Sequence, residues 1–427
     1  MRLEFLGLPV DNLPRQEILA KISGFFNSSE HHFITTPNPE MVVEGERDWF
    51  FKEAMRQADL APPDGAGLVW AGRYLFNQKI ARFPGVELME EICCLAAQEN
   101  KSVYLLGGGE GVAEKTALGL KKKFRDLKIA GAEKGIEIKI QTAADQCPLE
   151  ENKKYSYGLI FDKNENKRLV EKINRAGPDV LFAAFGHGKQ EKWLAEFLPQ
   201  LPSVRIAMGV GGAFDYLSGK IRRAPKILRK LGLEWLWRLL RQPWRIKRIC
   251  RAIAIFAFLI RDYKKQLNLP YRQGVIGFII NKEGKFFLAK RKSSKMDYYF
   301  FRLEHWQPPQ GGMDKGETQE EAVIREVKEE TGLSTKIICA CPKTYRYDWS
   351  IAFMRKGGHG YHFRGQEKKI FLLRYEGEPQ AVKLDQKELE DYQWVSLEEM
   401  QKLINPLRLL SLQILMKECP LQEKKYL

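Results

Sequence analysis

Six glutamates lie between Glu317 and Glu330, with only Arg325 and Lys328 as cations among them. The chain as a whole is basic, carrying a net charge of +16 over 427 residues. Like charges three or four apart on a helix repel by a few tenths of a kcal/mol per pair, so such a cluster needs a reason. On a wheel at about 100° per residue with Val323 at the origin, Val327 falls about 40° away and Glu330 about 20° to the other side. Glu326 lies about 60° and Glu329 about 120° from the same origin. Glu330 therefore sits on the apolar stripe, where a merely solvated helix would place no acid. A carboxylate beside a buried stripe requires a counter-charge. A hard divalent cation supplies one, because Mg²⁺ takes oxygen ligands and arrives with substrate phosphates.

A second candidate phosphate site is "GGGEG", Gly107 to Gly111, which follows a strand-like run and precedes a helical one. Gly107 and Gly108 there can let backbone N–H groups approach a diphosphate, although such turns are also common as plain structure. No Asp-x-Asp pair occurs between Met1 and Asp262, so the usual metal clamp of sugar-nucleotide chemistry is absent from that stretch. A leaving diphosphate would have to meet basic side chains or helix N-termini. Those basic side chains are concentrated: fifteen Lys/Arg against Glu234 and Asp262 between Lys220 and Lys265, or 15 − 2 = +13. With its tryptophans and the short apolar run "AIAIFAFLI", this segment suits a helix lying in a bilayer interface. Nucleic-acid binding and plain packing on the core stay open as alternatives.

Several elements must position these groups. In the first half, helical and strand-like patterns alternate: "SVYLLGGG", "DVLFAAFG" and "RIAMGVGG" read as strands, "GVELMEEICCLAAQEN" and "KQEKWLAEFL" as helices. This alternation predicts an α/β fold with a parallel sheet, whose ligands sit beyond the carboxyl ends of the strands. Asp126 to Lys167 is polar and weakly patterned and reads as an elaborated loop. Gly232 to Gln266 reads as helical, and Pro270 breaks the pattern. A second unit opens with a hairpin ("GVIGFIIN", "KEG", "KFFLAKR") and ends in one helix near Leu397 to Glu418. The expected domains are 1–232, a basic helical appendage and linker at 233–269, and 270–427. No run reaches the roughly 18 apolar residues of a membrane span, and the N-terminus does not read as a signal peptide. Seven scattered cysteines predict reduced thiols in a cytoplasm, with neither a disulfide framework nor a zinc site.

The acidic segment "PPQGGMDKGETQEEAVIREVKEETGL" resembles the Nudix box at Gly311, Glu317, Arg325, Glu326, Val327, Glu329, Glu330, Gly332 and Leu333. The resemblance implies an α/β/α sandwich and a pyrophosphohydrolase using Mg²⁺ or Mn²⁺ held by Glu326, Glu329 and Glu330. Its flanks "WQPPQGG", "RGQEKKIFLL" and "ELEDYQWVS" are similar to RNA pyrophosphohydrolases and dinucleoside polyphosphate hydrolases. That similarity adds Glu388 to the metal set and Arg272, Gln366 and Lys368 as phosphate contacts, with a nucleoside polyphosphate or an RNA 5′ end as substrate. The span "IAFMRKGGHGYHF" departs from the pattern, and His359 and His362 in it read as loop histidines.

The first half resembles the TagA/WecG/CpsF glycosyltransferases, family 26, through pieces in family order: "TTPNPEMV", "APPDGAGLVWAGR", "RFPGVELM", "VYLLGGGEGVAE", "GPDVLFAAFGHGKQEKW", "GVGGAFDYLSGKIRRAP" and "GLEWLWRLLRQPWRIKR". The resemblance implies a Rossmann-like, inverting transferase that needs no metal. It would move an N-acetylmannosamine-type sugar from a UDP-sugar to a polyprenyl-diphosphate-linked N-acetylglucosamine. Asp64 matches the proposed general base, Thr36 and Asn38 polar active-site positions, and Arg82 and Gln190 further substrate contacts. Arg238, Arg245 and Arg248 match the arginines that meet the diphosphate. Gly188, after His187, stands where relatives often have proline, and His187 reads as a loop residue. The combined expectation is a fusion of two enzymes, cytoplasmic and peripheral at the inner face of the membrane, with a homo-oligomer possible. The alternative is a basic RNA- or membrane-associated scaffold whose Nudix module senses nucleotides without hydrolysis.

Overall fold

The computed structural model describes residues 1–140, 158–221, 223–225, 228, 237, 246–292, 306–355, 362–378 and 382–419, with no side-chain detail at 246–251, 406 and 407. The chain divides into two compact units, Met1–Lys264 and Lys265–Leu427.

In the first unit, strands β1 (Arg2–Phe5) and β2 (Leu8–Asp11) form a hairpin. Its two-residue turn places Leu6 and Gly7 at positive φ, as the twist of a tight hairpin demands. The main sheet contains β3 (His32–Ile34), β4 (Ser102–Gly107), β5 (Lys128–Glu133), β8 (Val180–Ala184) and β9 (Ile206–Gly209) in the order β3-β9-β8-β4-β5. Every neighbouring pair is parallel. Two short strands, β6 (Lys139–Ile140) and β7 (Leu159–Ile160), pair with each other apart from it.

Strand alternation sends one row, Ile34, Met208, Phe182 and Leu105, to one face, where they pack with Ile18, Ile22, Leu88, Ile92 and Leu120 of flanking helices. The other row, Phe33, Ala207, Leu181 and Tyr104, meets Leu169, Ile173, Trp193 and Leu194 on the opposite face. This is a three-layer α/β/α arrangement with both faces of the sheet covered, as a parallel sheet requires.

The second unit is built on a mixed sheet. It comprises β10 (Arg272–Ile280), β11 (Phe286–Arg291), β12 (Trp306–Gln307), β13 (Gln310–Gly312), β14 (Lys336–Asp348), β15 (Gly365–Arg374) and β16 (Leu389–Val395). The central pair, β10 and β15, runs parallel over nine residues of each strand, Arg272 opposite Gln366 to Ile280 opposite Arg374. One face packs on the acidic helix Gln319–Thr331 through Val323 and Val327. The other packs on the C-terminal helices through Met400, Leu412 and Leu415. The α/β class expected from the sequence is observed in both units.

Three readings need correction. Asp126 to Lys167 is not all loop: it contains β5, β6, β7 and the start of the helix Lys163–Ala176, while 141–157 lie outside the described residues. Strand β5 is a half-exposed sheet edge, so it lacks the apolar run that reveals a buried strand. The single final helix is two, Leu397–Leu403 and Pro406–Glu418, broken before Pro406. The expected reduced thiols are contradicted by a disulfide between Cys339 and Cys419. Those cysteines are 80 residues apart and meet only because the last helix packs on β14. Among the described residues no helix is long and apolar enough to cross a membrane.

Burial also sets a pH dependence. Glu196, on the helix Lys189–Phe197, has a buried Oε2 with no hydrogen-bond partner among the described residues, and burial pushes its carboxyl up to about 8. Unfolded, it releases its proton near 4.5. The folded chain holds that proton longer, so stability falls as pH rises from the unfolded value through the folded one. Glu196→Gln should leave melting unchanged at about pH 4 and raise the melting temperature by about 5 °C at about pH 9, on the order of 2 kcal/mol after discounting for partial exposure. A variant that melts at or below the parent temperature in alkaline calorimetry contradicts this.

Candidate functional site

In the first unit the candidate residues gather at the carboxyl edge of the parallel sheet. Thr36 and Asn38 follow β3. Leu60 runs parallel beside Ile34, which carries Asp64 to the same edge. The Asp64 N–H donates to the Pro37 carbonyl at 2.7 Å, and its Oδ2 accepts the Gly85 N–H at 3.1 Å. A Cβ built on Gly85 would stand 3.0 Å from Thr36 Oγ1 and 3.7 Å from Asp64 Oδ2. Glycine at position 85 therefore lets the backbone approach both groups closely, and any side chain there would press on Thr36. Gly65, at φ +98°, turns the chain from Asp64 into the helix Ala66–Phe76, and a Cβ there would lie 3.9 Å from Asn38 Cβ. Asn38 also caps the helix Pro39–Gly45 by accepting the Met41 N–H at 3.1 Å. Arg82 is half-buried, next to Phe83, whose N–H donates to the Pro63 carbonyl at 2.9 Å.

Gln190 reaches this edge but is heavily engaged within the fold. Its carbonyl oxygen accepts the Gly211 N–H at 3.0 Å, and its Nε2 donates to Glu191 Oε1 at 2.8 Å. Glu191 in turn accepts the Gly188 N–H at 2.9 Å, and burial raises its carboxyl. His187 lies 5.4 Å from the Phe51 ring and belongs to this loop.

The glycine-rich turn divides its work in a way the sequence reading missed. A Cβ on Gly107 would stand 2.7 Å from the Ala184 backbone, and one on Gly108 2.9 Å from Val112 Cγ1, so both serve close packing. Gly109 and Gly111, at φ +88° and +68°, face open space. These two leave the backbone approachable; only their membership of the same motif could have signalled it. Arg238 and Arg245 lie outside the described residues. Arg248 lies on the helix Ile246–Gln266, its side chain outside them.

In the second unit, Thr318 and Glu321 form a capping box that starts the acidic helix, and Gly332 at φ +71° ends it. Arg325 organises the acids around it. It donates to Glu317 through Nε and Nη2 at 3.0 and 2.6 Å, to Glu326 at 3.0 Å, to Glu329 at 3.1 Å and to the Gly312 carbonyl at 3.0 Å. Glu326 lies across Gly311, where any Cβ would collide with its carboxylate. Glu330 is buried, as its place on the apolar stripe required, and accepts the Gln310 N–H at 3.3 Å. Burial, reinforced by Glu326 and Glu388, pushes its carboxyl up to about 8. Glu388 itself is exposed, ahead of β16.

The phosphate candidates flank these acids. Arg272 and Gln366 are opposite each other in register, as are Gly274 and Lys368. Arg272 lies over Gly312, and the buried Lys368 donates to Gln310 Oε1 at 2.9 Å. Desolvation and the charge of Arg408 hold the Lys368 ammonium well below its usual range. Arg408 was not foreseen: it comes from the last helix, and its guanidinium stands 5.3 Å from the Tyr347 ring and 5.9 Å from that of Tyr345. Its Nη1 is buried without a hydrogen-bond partner among the described residues. His362 is exposed, and His359 lies outside the described residues.

The fit of a divalent cation rests on the donor set. Glu326 and Glu388 both repel the buried carboxyl of Glu330, which has one backbone donor, an arrangement a bound cation would relieve. Among the described residues no three acid, histidine or cysteine side chains already stand together as ligands. Arg325 occupies Glu326 and Glu329 in their place. The residues fit the group, with Arg325 as the charge that Glu326 and Glu329 would exchange for it.

Comparison with known proteins places both halves. Residues 3–269 match the model of the glycosyl transferase WecG/TagA/CpsF family, and residues 270–413 match that of the NUDIX domain. An N-acetylglucosaminyldiphosphoundecaprenol N-acetyl-beta-D-mannosaminyltransferase of Staphylococcus aureus is 30% identical over 269 residues, covering 62% of this chain and 95% of that protein. Among solved structures, a C. elegans Ap4A hydrolase binary complex is 22% identical, covering 34% of this chain and 95% of that one at a TM-score of 0.25. A MutT protein from Methanosarcina mazei is 21% identical, covering 37% and 99% at a TM-score of 0.27. The chain is a member of the WecG/TagA/CpsF glycosyltransferase family that carries a Nudix hydrolase domain after its transferase domain.

Proposed function

We propose that the chain joins an inverting N-acetylmannosaminyltransferase to a metal-dependent nucleotide pyrophosphohydrolase. The transferase would take its sugar from a UDP donor and deliver it to N-acetylglucosamine on a polyprenyl diphosphate, in the assembly of a surface polysaccharide. The name of the Staphylococcus aureus relative supports this donor and acceptor. The observation that supports the reading is the placement of Thr36 and Asp64 against Gly85, with Asn38 beside Gly65, at the carboxyl edge of the parallel sheet. Asp64 Oδ2 accepts the proton of the acceptor hydroxyl as that oxygen attacks the anomeric carbon from the face opposite the leaving diphosphate. The backbone of Gly109 and Gly111 receives the nucleotide diphosphate, and Arg238, Arg245 and Arg248 neutralise it as it departs. Gln190 holds the turn at Gly211 in place.

In the second domain Glu326, Glu329, Glu330 and Glu388 would hold Mg²⁺ or Mn²⁺, Glu330 being the buried member of the set. When bound, such an ion lowers the pKa of a coordinated water and neutralises phosphate oxygens. Arg272, Gln366 and Lys368 orient the polyphosphate of a nucleoside polyphosphate or an RNA 5′ end. Lys368 is aimed by Gln310. The basic segment from 233 to 269 acts as the appendage that brings the transferase to the cytoplasmic face of the membrane. The exposed Ile253, Phe258 and Arg261 on its helix support that reading.

Asp64→Asn should lower sugar transfer about 100-fold or more and leave pyrophosphohydrolysis unchanged, as removal of a general base does. Glu329→Gln with Glu330→Gln should do the reverse. Loss of both activities in either folded variant contradicts two separate sites. The full chain should co-sediment with vesicles containing anionic phospholipid and dissociate at about 0.5 M salt, with binding weakened by Arg261→Glu plus Lys265→Glu. Retention of an RNA duplex instead of vesicles overturns the membrane assignment.

A further inference from the structure

Three cysteines meet in the second unit. Cys339 and Cys341 lie on β14, and Cys419 directly follows the helix Pro406–Glu418. Cys339 and Cys419 are disulfide-bonded, with Cα atoms 6.4 Å apart. The sulfur of Cys341 stands 3.5 Å from that of Cys419. Because Cys419 has no thiol proton left, Cys341 is the donor in that contact. Cys341 and Cys419 are fully buried in the core formed by Ile370, Leu412 and Leu415, while Cys339 is only half-buried at the sheet's outer strand. A structural bridge needs two sulfurs. Here a third waits within contact of the inner one, and the outer one is the more accessible.

We infer that Cys339, Cys341 and Cys419 form a thiol–disulfide exchange site that sets how firmly the last helix is held on the sheet, and through that helix the affinity of the Nudix site for its polyanionic substrate. In the exchange, the Cys341 thiolate attacks the Cys419 sulfur. The Cys339–Cys419 bond breaks, and Cys339 leaves as a thiolate that takes up the proton Cys341 released. One disulfide replaces another, with no net oxidation. Opening the clamp requires an external dithiol, which gives two electrons and two protons to the bridge and is itself oxidised to a disulfide. Burial holds the Cys341 thiol at about 11, so exchange is slow in the closed unit and quickens when the helix lifts. In a reducing compartment such a bond is made and broken, where in an oxidising one it would be permanent.

The link to the site is the helix itself. Its disulfide end carries Cys419, and its opposite end carries Arg408 against Tyr345 and Tyr347. Tyr345 and Tyr347 stand opposite Lys368 and Gln366 in the β14–β15 register. A helix freed at Cys419 keeps its apolar contacts through Leu409, Leu412 and Leu415 but loses its covalent tie to β14, and Arg408 is less firmly held beside Lys368.

The test uses the full chain. Thiols are labelled with a maleimide in denaturant before and after treatment with dithiothreitol and counted by intact mass. The parent should gain two labels on reduction. Cys339→Ser should also gain two, because Cys341 and Cys419 pair in its place, and Cys339→Ser with Cys341→Ser should gain none. A Cys339→Ser chain that labels identically before and after reduction overturns the exchange. The affinity claim rests on the proposed hydrolase function. Reduction of the parent should raise KM for a nucleoside tetraphosphate with Mg²⁺ about threefold or more and leave kcat within about twofold, a loss of binding and not of chemistry. The variant lacking all three thiols should be indifferent to reductant. An unchanged KM in a chain shown to be reduced overturns the coupling. If neither form hydrolyses anything, the hydrolase reading fails, and calorimetry decides the clamp: the second unit must melt lower when reduced, and equal melting refutes it.

Discussion

A carboxylate kept under apolar cover is the constraint on which the second domain turns. Glu330 could point to water with a rotation of the helix, yet the packing of Val323 and Val327 fixes that rotation. The core therefore holds an acid where no acid is stable by itself. Arg325 answers part of the charge by gathering Glu317, Glu326 and Glu329, but not Glu330. Lys368 and Arg408 are the complementary oddity: a buried amine and a guanidinium with a buried Nη1, with no acid bridged to either among the described residues. A site with one buried acid among further carboxylates on one side and basic side chains on the other suits a metal-bound polyphosphate, which presents cation and anion in that order.

The transferase domain meets the same problem without carboxylates. Its sheet is parallel throughout, so the carboxyl ends of β3, β4, β8 and β9 all open on one edge. Chain reversals there need glycine, and two of the four glycines from Gly107 to Gly111 are spent on close packing. The remaining two face open space. Asp64 is set beside this edge by backbone hydrogen bonds to Pro37 and Gly85, so the fold itself contributes to its position.

How much of this could be read in the residues varies with the range of the interaction. The burial of Glu330 was legible because about two turns of helix, from Val323 through Val327 to Glu330, determine it. The strand-and-helix alternation was legible because each buried strand is its own apolar run. Strand β5 was not, since an edge strand with half-exposed residues carries no such run. Arg408 and the Cys339–Cys419 bond were not, because the last helix brings distant parts of the chain together and no local spacing records it. Gln190 illustrates a middle case: the sequence brought it to the right edge, but only the fold reveals that its amide is already holding Gly211 and Glu191.

The central claim is that the acidic helix is built for a divalent cation. Electron paramagnetic resonance of Mn²⁺ titrated into the full chain tests it most directly, since the free-ion signal vanishes on binding. The account predicts saturable loss of signal in the parent chain and a signal indistinguishable from buffer when Glu326→Gln and Glu330→Gln are combined. Equal Mn²⁺ binding by the parent and that folded variant, or no binding by the parent, would contradict it.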